Sequence, residues 1–160
     1  MRKILALALI LVGCAAQPTP SPSPTSTVSG YEYVLPGSPH LRVRFPSTPK
    51  ESSEFKSGVK VDFAACLHEG QTFTAYARGL GPMDQGKTLE QLCVAPMREV
   101  GEPTEIRTTY AGGYSAVEAS VRGARMRVFF KDNRLYVLSV PLPVTPSAQA
   151  FLDSFGQQGT

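Results

Sequence analysis

The sequence has few of the features that identify several common classes of protein. Its 160 residues include no tryptophan and only three cysteines, and 18% of them are charged. Its longest apolar run, residues 4–12, is far shorter than the roughly 18–20 residues that a helix needs to span a bilayer. Three cysteines are too few for a disulfide-scaffold miniprotein. With 42% apolar residues, the chain has enough material for one domain with a sizeable core.

The first 14 residues have the pattern of a targeting segment. A basic start, Met1-Arg2-Lys3, leads into residues 4–12, whose length is that of a signal-peptide apolar region. The segment ends in Leu11-Val12-Gly13-Cys14, which resembles the bacterial lipobox. The resemblance implies that residues 1–13 are removed and that Cys14 is lipidated. An ordinary secretory leader is the alternative, but Leu11 is not the small residue that its cleavage site prefers.

A spacer is predicted after the lipidated cysteine, over residues 14–30. Residues 15–30 hold four prolines, four serines and three threonines, with no charged or aromatic residue. Such a segment cannot offset its ordering entropy, so we predict a disordered, extended tether. A proline-rich docking ligand and an O-glycosylated stalk are the alternatives. Ala15, where Asp would signal inner-membrane retention, implies outer-membrane sorting if the host has two membranes.

The net charge of the chain bears on whether nucleic acid is a partner. The formal net charge is +3, but removing Arg2 and Lys3 with the leader leaves 14 basic against 13 acidic side chains. No run of lysine and arginine longer than two remains. We therefore predict no nucleic-acid partner.

A single globular domain is predicted for residues 31–156, with a flexible tail at 157–160. Alternating apolar residues predict strands, whose approximate ranges are 40–45, 59–67, 72–78, 105–110, 114–121, 125–131 and 135–140. Asp132-Asn133 joins the last two as a hairpin, because both residues tolerate positive φ in a two-residue turn.

Two helices complete the predicted domain. Thr88 is a candidate N-cap with Gln91 three residues later, and Pro96 is expected to kink or end that helix early. Thr145 is the candidate N-cap of the second helix, with Pro146 at its first position. The apolar face of this second helix consists of Ala148, Phe151, Leu152 and Phe155. The predicted fold class is α+β, with a mainly antiparallel β-sheet packed by two helices.

Four segments of the predicted domain occur together in one known group of proteins: a strand ending in Phe45-Pro46, the strand at 112–118, the strand at 134–138 and the helix at 151–155. On these segments the chain resembles the PsbP-like superfamily, which includes DcrB-type bacterial lipoproteins. The resemblance covers about residues 31–156. It implies a PsbP-like sandwich, a sheet packed between helices, that serves as a non-catalytic binding or accessory module. It carries no active-site motif to this chain.

No residue pattern predicts catalysis, a cofactor or a metal. His68-Glu69 lacks the second histidine of an HExxH pair, and His40 opens a strand after a proline. The chain has no Gly-x-Ser-x-Gly elbow, and Gly79-Leu80-Gly81 indicates a flexible turn rather than a dinucleotide loop. Asp62 is assigned to a solvated strand face.

Two weaker candidate sites remain. Arg125, Arg127 and Lys131 fall on one face of a predicted strand and form either a site for an anionic partner or a solvated outer face. Cys66 and Cys93 remain after lipidation uses Cys14. In an oxidising compartment two thiols favour a disulfide, and two separate inert core cysteines are the alternative.

The sequence therefore predicts a membrane-tethered extracytoplasmic lipoprotein that acts as a non-catalytic binding or accessory module of unknown ligand. Its expected partners are the bilayer, through acylated Cys14, and an envelope protein. An envelope hydrolase or a small-ligand carrier, with a site built from scattered residues, is the alternative.

Overall fold

The computed structural model describes residues 30–156. These residues form nine strands, two α-helices and one short 3₁₀ turn. In chain order the elements are β1 (Tyr31–Val34), β2 (Arg42–Phe45), β3 (Lys50–Lys56), β4 (Val59–His68), β5 (Gln71–Gly79), the 3₁₀ turn (Pro82–Asp84), α1 (Leu89–Val100), β6 (Thr104–Ala111), β7 (Tyr114–Val121), β8 (Ala124–Lys131), β9 (Arg134–Pro141) and α2 (Pro146–Asp153).

Seven of these strands form one antiparallel sheet in the order β3-β4-β5-β9-β8-β7-β6, and β1 pairs with β2 in a separate two-stranded sheet. The only non-sequential neighbours in the large sheet are β5 and β9. The α+β class with a mainly antiparallel sheet and two helices is confirmed.

The central strands of the large sheet are covered on both faces, as β9 shows. Along β9, Leu135 and Val137 join one core cluster, whereas Tyr136 and Leu138 join another. Because alternate residues of a strand point to opposite faces, these clusters lie on opposite sides of the sheet. Helix α1 packs on one face, against β7, β8 and β9. Helix α2 and the β1–β2 pair pack on the other.

Helix α1 begins where the sequence predicts but does not end early. The Thr88 hydroxyl accepts from the Gln91 N–H at 3.3 Å, and the Thr88 N–H donates to the Gln91 side chain at 2.9 Å. The helix continues through the buried Pro96 to Val100, so of the two expectations for Pro96, a kink or an early end, the early end is wrong. Pro96 removes one backbone hydrogen bond from the helix. Cys93 before it and Met97 after it both pack against the sheet, and this packing holds the helix together.

The last hairpin and the closing helix match their sequence signals. Asp132 and Asn133 have φ values of 50° and 60°, and Lys131 pairs directly with Arg134. The Thr145 hydroxyl accepts from the Ala148 N–H at 3.3 Å and caps α2. All four residues of the predicted apolar face are buried: Ala148, Phe151, Leu152 and Phe155.

Strands β1 and β3 were not predicted. All seven residues of β3 are exposed, so the strand shows none of the apolar alternation that marks a half-buried strand. It exists because it pairs along its whole length with β4, from Lys50 opposite Ala65 to Lys56 opposite Val59. The formation of β3 therefore depends on tertiary pairing rather than on local sequence pattern.

The predicted signal peptide, lipidated Cys14, tether and tail lie outside the described residues, apart from Gly30, and stay predictions. Within residues 30–156, neither helix has the length and apolar character needed to cross a membrane.

Candidate functional site

A cleft opens beside helix α1, above the half of the sheet that this helix leaves uncovered. Because α1 packs on β7, β8 and β9, the same face of β3, β4 and β5 remains accessible. The cleft has a volume of about 340 Å³, which is within the usual range for small-molecule sites. Its apolar lining comes from Val59 and Val61 on β4, Met83 on the 3₁₀ turn and Ala95 on α1.

A second cavity of about 190 Å³ adjoins the cleft and extends its apolar surface along the sheet. The ring centroids of Phe63 and Tyr76 lie 5.6 Å apart in this extension, and Pro96 and Val100 line it from the helix. Burial raises the pKa of the Tyr76 phenol, which keeps it neutral. The residues common to both cavities are Lys56, Val61, Arg78 and Glu99. The two cavities together form one groove, called here the α1 groove.

A buried carboxylate, Asp84, holds one wall of the α1 groove. Its side chain is 4% exposed; Arg78 Nη1 lies 2.7 Å and Lys87 Nζ 3.2 Å from its oxygens, and the Gly81 N–H donates to it at 3.0 Å. The hydrogen bond from Arg78 is the main reason that the pKa of Asp84 lies far below its usual range. This network pins the 3₁₀ turn, and with it Met83, against β5.

Asp84→Asn is expected to reduce the sensitivity of the fold to acid. The folded-state pKa of Asp84 lies below the unfolded value of about 3.9, so its stabilisation is present above that pH. It is lost as the pH falls through the folded-state value. Urea unfolding at about pH 6 and about pH 3 should show a smaller loss of stability for the variant than for the wild-type protein. Asp132→Asn, an exposed change in a turn, serves as the control; an equal loss in Asp84→Asn and wild type would contradict the assignment.

An exposed ion pair crosses the α1 groove. Lys56 Nζ on β3 lies 2.7 Å from Glu99 Oε2 on α1, and both residues line both cavities. Such a solvated pair adds little to stability, so either partner can exchange it for a ligand at small cost. The larger cavity is lined by three cations against two carboxylates, a net charge of +1: Lys56, Arg78 and Lys87 against Asp84 and Glu99.

The predicted basic face is mostly engaged within the protein. Arg127 is 3% exposed, donates to Glu118 Oε2 at 2.7 Å and reaches Asp153 and the Leu152 carbonyl of α2. Arg125 pairs with Glu105 at 3.1 Å, and only Lys131 is substantially exposed, beside Asp132. The strand alternation placed Arg125 and Arg127 on one face correctly, but α2 covers that face. The anionic-partner site over Arg125, Arg127 and Lys131 is therefore corrected to an internal ion-pair network with one exposed lysine.

Glu118 is the centre of that network, and the sequence offered no signal for it. The residue is 1% exposed and receives hydrogen bonds from Arg127 and, at 3.1 Å, from Arg107 Nε. Burial acts to raise the pKa of Glu118, but the bonds from Arg107 and Arg127 lower it overall. The network joins β6, β7 and β8 to α2 and is structural.

Asp62 is also buried, which corrects its assignment to a solvated face. It is 7% exposed and contacts Ser53 at 2.7 Å, Lys60 at 2.7 Å and Arg134 at 3.3 Å. Burial acts to raise the pKa of Asp62, but the hydrogen bonds from Lys60 and Ser53 lower it overall. The carboxylate thus ties edge strand β3 to β4 and β9.

The two histidines lie away from the α1 groove. His40 is exposed before β2, and His68 Nε2 lies 3.8 Å from the neighbouring Glu69 at the β4–β5 turn. Neither residue lines either cavity of the groove. In the described part of the chain, no group of three or more histidine, cysteine, aspartate or glutamate side chains is placed to hold a metal ion.

Cys66 and Cys93 are both free and buried, so the predicted disulfide is not formed. Cys66 belongs to the core cluster under α2, whereas Cys93 lies in the cluster under α1, and the sheet separates them. Burial raises the pKa of the Cys93 thiol to about 11, which keeps it protonated and unreactive. The alternative interpretation, two separate core cysteines, describes the structure.

Comparison of the chain with protein-family models, curated proteins and solved structures gives no match. The candidate site therefore rests on the geometry of the α1 groove and on the charges that line it.

Proposed function

We propose that this chain is a lipid-anchored, extracytoplasmic, non-catalytic binding module whose ligand site is the α1 groove. The observation that carries the proposal is an apolar groove beside α1 whose rim and wall are charged. Its elements come from three parts of the chain: β3 to β5, the 3₁₀ turn and α1. The buried Asp84 network holds this arrangement in place before any ligand arrives, which lowers the entropic cost of binding.

The chemistry of the groove favours an amphipathic anion, a molecule with an apolar part and a carboxylate or phosphate group. Met83, which is 82% exposed, and the half-buried Val59 offer the apolar part a surface to cover. Lys56 has ammonium hydrogens to spare beyond its bond to Glu99, and it is accessible at the mouth. The anionic group is expected in the larger cavity, whose net charge of +1 attracts a negative charge; Glu54 in the smaller cavity brings the α1 groove as a whole to zero.

The anchoring part of the proposal rests on the sequence. Leu11-Val12-Gly13-Cys14, at the end of a short apolar run, resembles a lipobox. Two or three acyl chains hold a protein to a bilayer, whereas a single chain binds only marginally. Cys14→Ser should leave the protein unprocessed or released. A variant that is still cleaved and still held in the membrane fraction would contradict the anchor.

The envelope hydrolase is the less favoured alternative. A site of that class needs a base beside its nucleophile, and a histidine against a carboxylate in a pocket is the usual form. His68 meets Glu69 only at an exposed turn, outside the groove. A small-ligand carrier would use the same groove and differs only in what happens after binding.

The proposal is tested by titrating the full chain with dodecanoate, its neutral analogue dodecanol and its cationic analogue dodecylammonium. We expect dodecanoate to bind most tightly, and Lys56→Gln to weaken its binding about three- to tenfold. Lys50→Gln is the matched control, because Lys50 lies on the same strand and face but lines neither cavity. Failure to bind any of the three probes, or equal effects of the two lysine changes, would contradict the proposed site.

A further inference from the structure

Strand β6 leaves one edge of the seven-stranded sheet open. It is the last strand in the sheet order, and no strand among residues 30–156 pairs with its outer side. Its residues Arg107–Ala111 pair in regular register with β7 on the inner side. The segment is rich in residues that favour strands and contains no lysine and no proline. Unpaired backbone N–H and C=O groups along such an edge are a template for another strand.

The side chains of β6 are also unusually apolar for an exposed edge. Tyr110 is 73% exposed and Ile106 is 46% exposed. Thr108 pairs with Val117 of the cluster under α1, so Tyr110 and Ile106, two residues to either side of it, share that face. Helix α1 packs on β7, β8 and β9 and does not cover this stripe.

We propose that β6 pairs with the β6 strand of a second copy of this chain, antiparallel about a two-fold axis at Thr108. This register sets Thr108 opposite its own copy, Ile106 opposite Tyr110, and Arg107 opposite Thr109. Pairs of an aromatic with a β-branched residue and pairs of threonines are favourable across antiparallel strands, and no like charges lie directly opposite each other. The two sheets become one continuous sheet of fourteen strands.

The opposite edge of the sheet shows why β6 is the pairing edge. Strand β3 carries two lysines and two glutamates over seven residues. Pairing β3 with its own copy about Ser53 would set Lys50 against Lys56, a repulsion that protects the edge. In β6 the charged residues Glu105 and Arg107 and the register shift between Thr104 and Arg107 all lie in the first half of the strand, and Arg107 is paired with Glu118. Residues Thr108–Ala111 carry no charge that would repel a second copy.

The contact is short, so we expect a weak dimer. A strand pair of this length buries less than the roughly 1,200 Å² of a standard interface, so we expect the dimer to dissociate on dilution. Sedimentation velocity of the full chain in a mild detergent, at about 1 µM and about 100 µM, should show monomer and then dimer. A monomer at both concentrations would overturn the proposal.

Substitutions at the two edges localise the contact. Thr108→Lys sets two lysines against each other at the two-fold axis and should weaken association at least tenfold. Ser52→Lys makes the same kind of exposed change on β3 and should leave association unchanged. Equal behaviour of the two variants would overturn the assignment to β6. The unfolding midpoint of each variant checks that the monomer fold is retained.

A pair of double variants tests the register itself. Ile106→Lys with Tyr110→Glu sets opposite charges across the axis, whereas Ile106→Lys with Tyr110→Lys sets like charges there. Both proteins lose the same two apolar side chains, so their difference reports the register alone. The first should associate at least tenfold more tightly than the second, and equal association would overturn the two-fold at Thr108. Neither residue lines the α1 groove, so this result is independent of ligand binding.

Discussion

Phe155→Ala is expected to lower the free energy of unfolding by about 3–5 kcal/mol. Phe155 is fully buried just after α2, and its ring stacks on that of Phe129 with centroids 3.6 Å apart and planes 9° apart. Tyr114 and Tyr136 contact it from two further directions. Removing the ring leaves a cavity at the point where α2 and the sheet meet. Against a typical total stability of about 5–15 kcal/mol, the loss is large.

Denaturant unfolding of the wild-type and variant proteins measures this effect. Phe55→Ala is the matched control, because the Phe55 side chain on β3 is 78% exposed and should change stability by less than about 0.5 kcal/mol. If Phe155→Ala costs no more than Phe55→Ala, the packing of α2 on the sheet is not as described.

Glu118→Ala is expected to destabilise the fold by a similar amount, about 3–5 kcal/mol. The change removes the carboxylate that compensates the buried guanidinium of Arg127, whose Nη2 lies 2.6 Å from Glu118 Oε2. Asp153 stays 2.7 Å from Arg127 but is half exposed, so the buried counter-charge is lost, and that loss costs far more than the loss of a solvated ion pair. The unfolding midpoint in urea provides the measurement.

Two comparisons separate this burial effect from a general effect of charge. Glu105→Ala removes a solvent-exposed carboxylate from the same cluster and should change the midpoint little. The double variant Glu118→Leu with Arg127→Met replaces both buried charges by apolar groups and should recover most of the lost stability. A double variant as unstable as Glu118→Ala would show that the single-variant effect does not come from the loss of the buried counter-charge of Arg127.

Local signals in the sequence located most of the elements. Caps at Thr88 and Thr145, and the Asp132-Asn133 turn, are chemical features of a few neighbouring residues, and all three appear as predicted. Strand β3 could not be predicted from the sequence, because all its residues are exposed and show no alternation. It forms a strand because it pairs with β4. The predicted early end of α1 at Pro96 is wrong because the packing of α1 on the sheet outweighs one missing backbone hydrogen bond.

The residues that line the α1 groove could not be predicted from local sequence patterns. Arg78 and Asp84 meet across a turn, and Lys56 meets Glu99 over 43 positions of sequence, so no periodicity relates the charges. The predictions of a disulfide between the two cysteines and of a binding face on the three basic residues of β8 failed for a related reason. Strand alternation says which residues share a face, but not which helix covers that face. Which helix covers which face depends on the order of the strands in the sheet, and β9 lies between β5 and β8 in that order.

The central claim, that the α1 groove is the binding site of this chain, is tested most directly by filling the groove. Ala95→Trp places a large side chain on the groove wall of α1, and Ala150→Trp makes the same change at an exposed position of α2. Dodecanoate titrated by calorimetry into the wild-type and both variant full chains should bind the wild type and Ala150→Trp alike. Binding to Ala95→Trp should be at least tenfold weaker, and equal binding by all three proteins would contradict the claim.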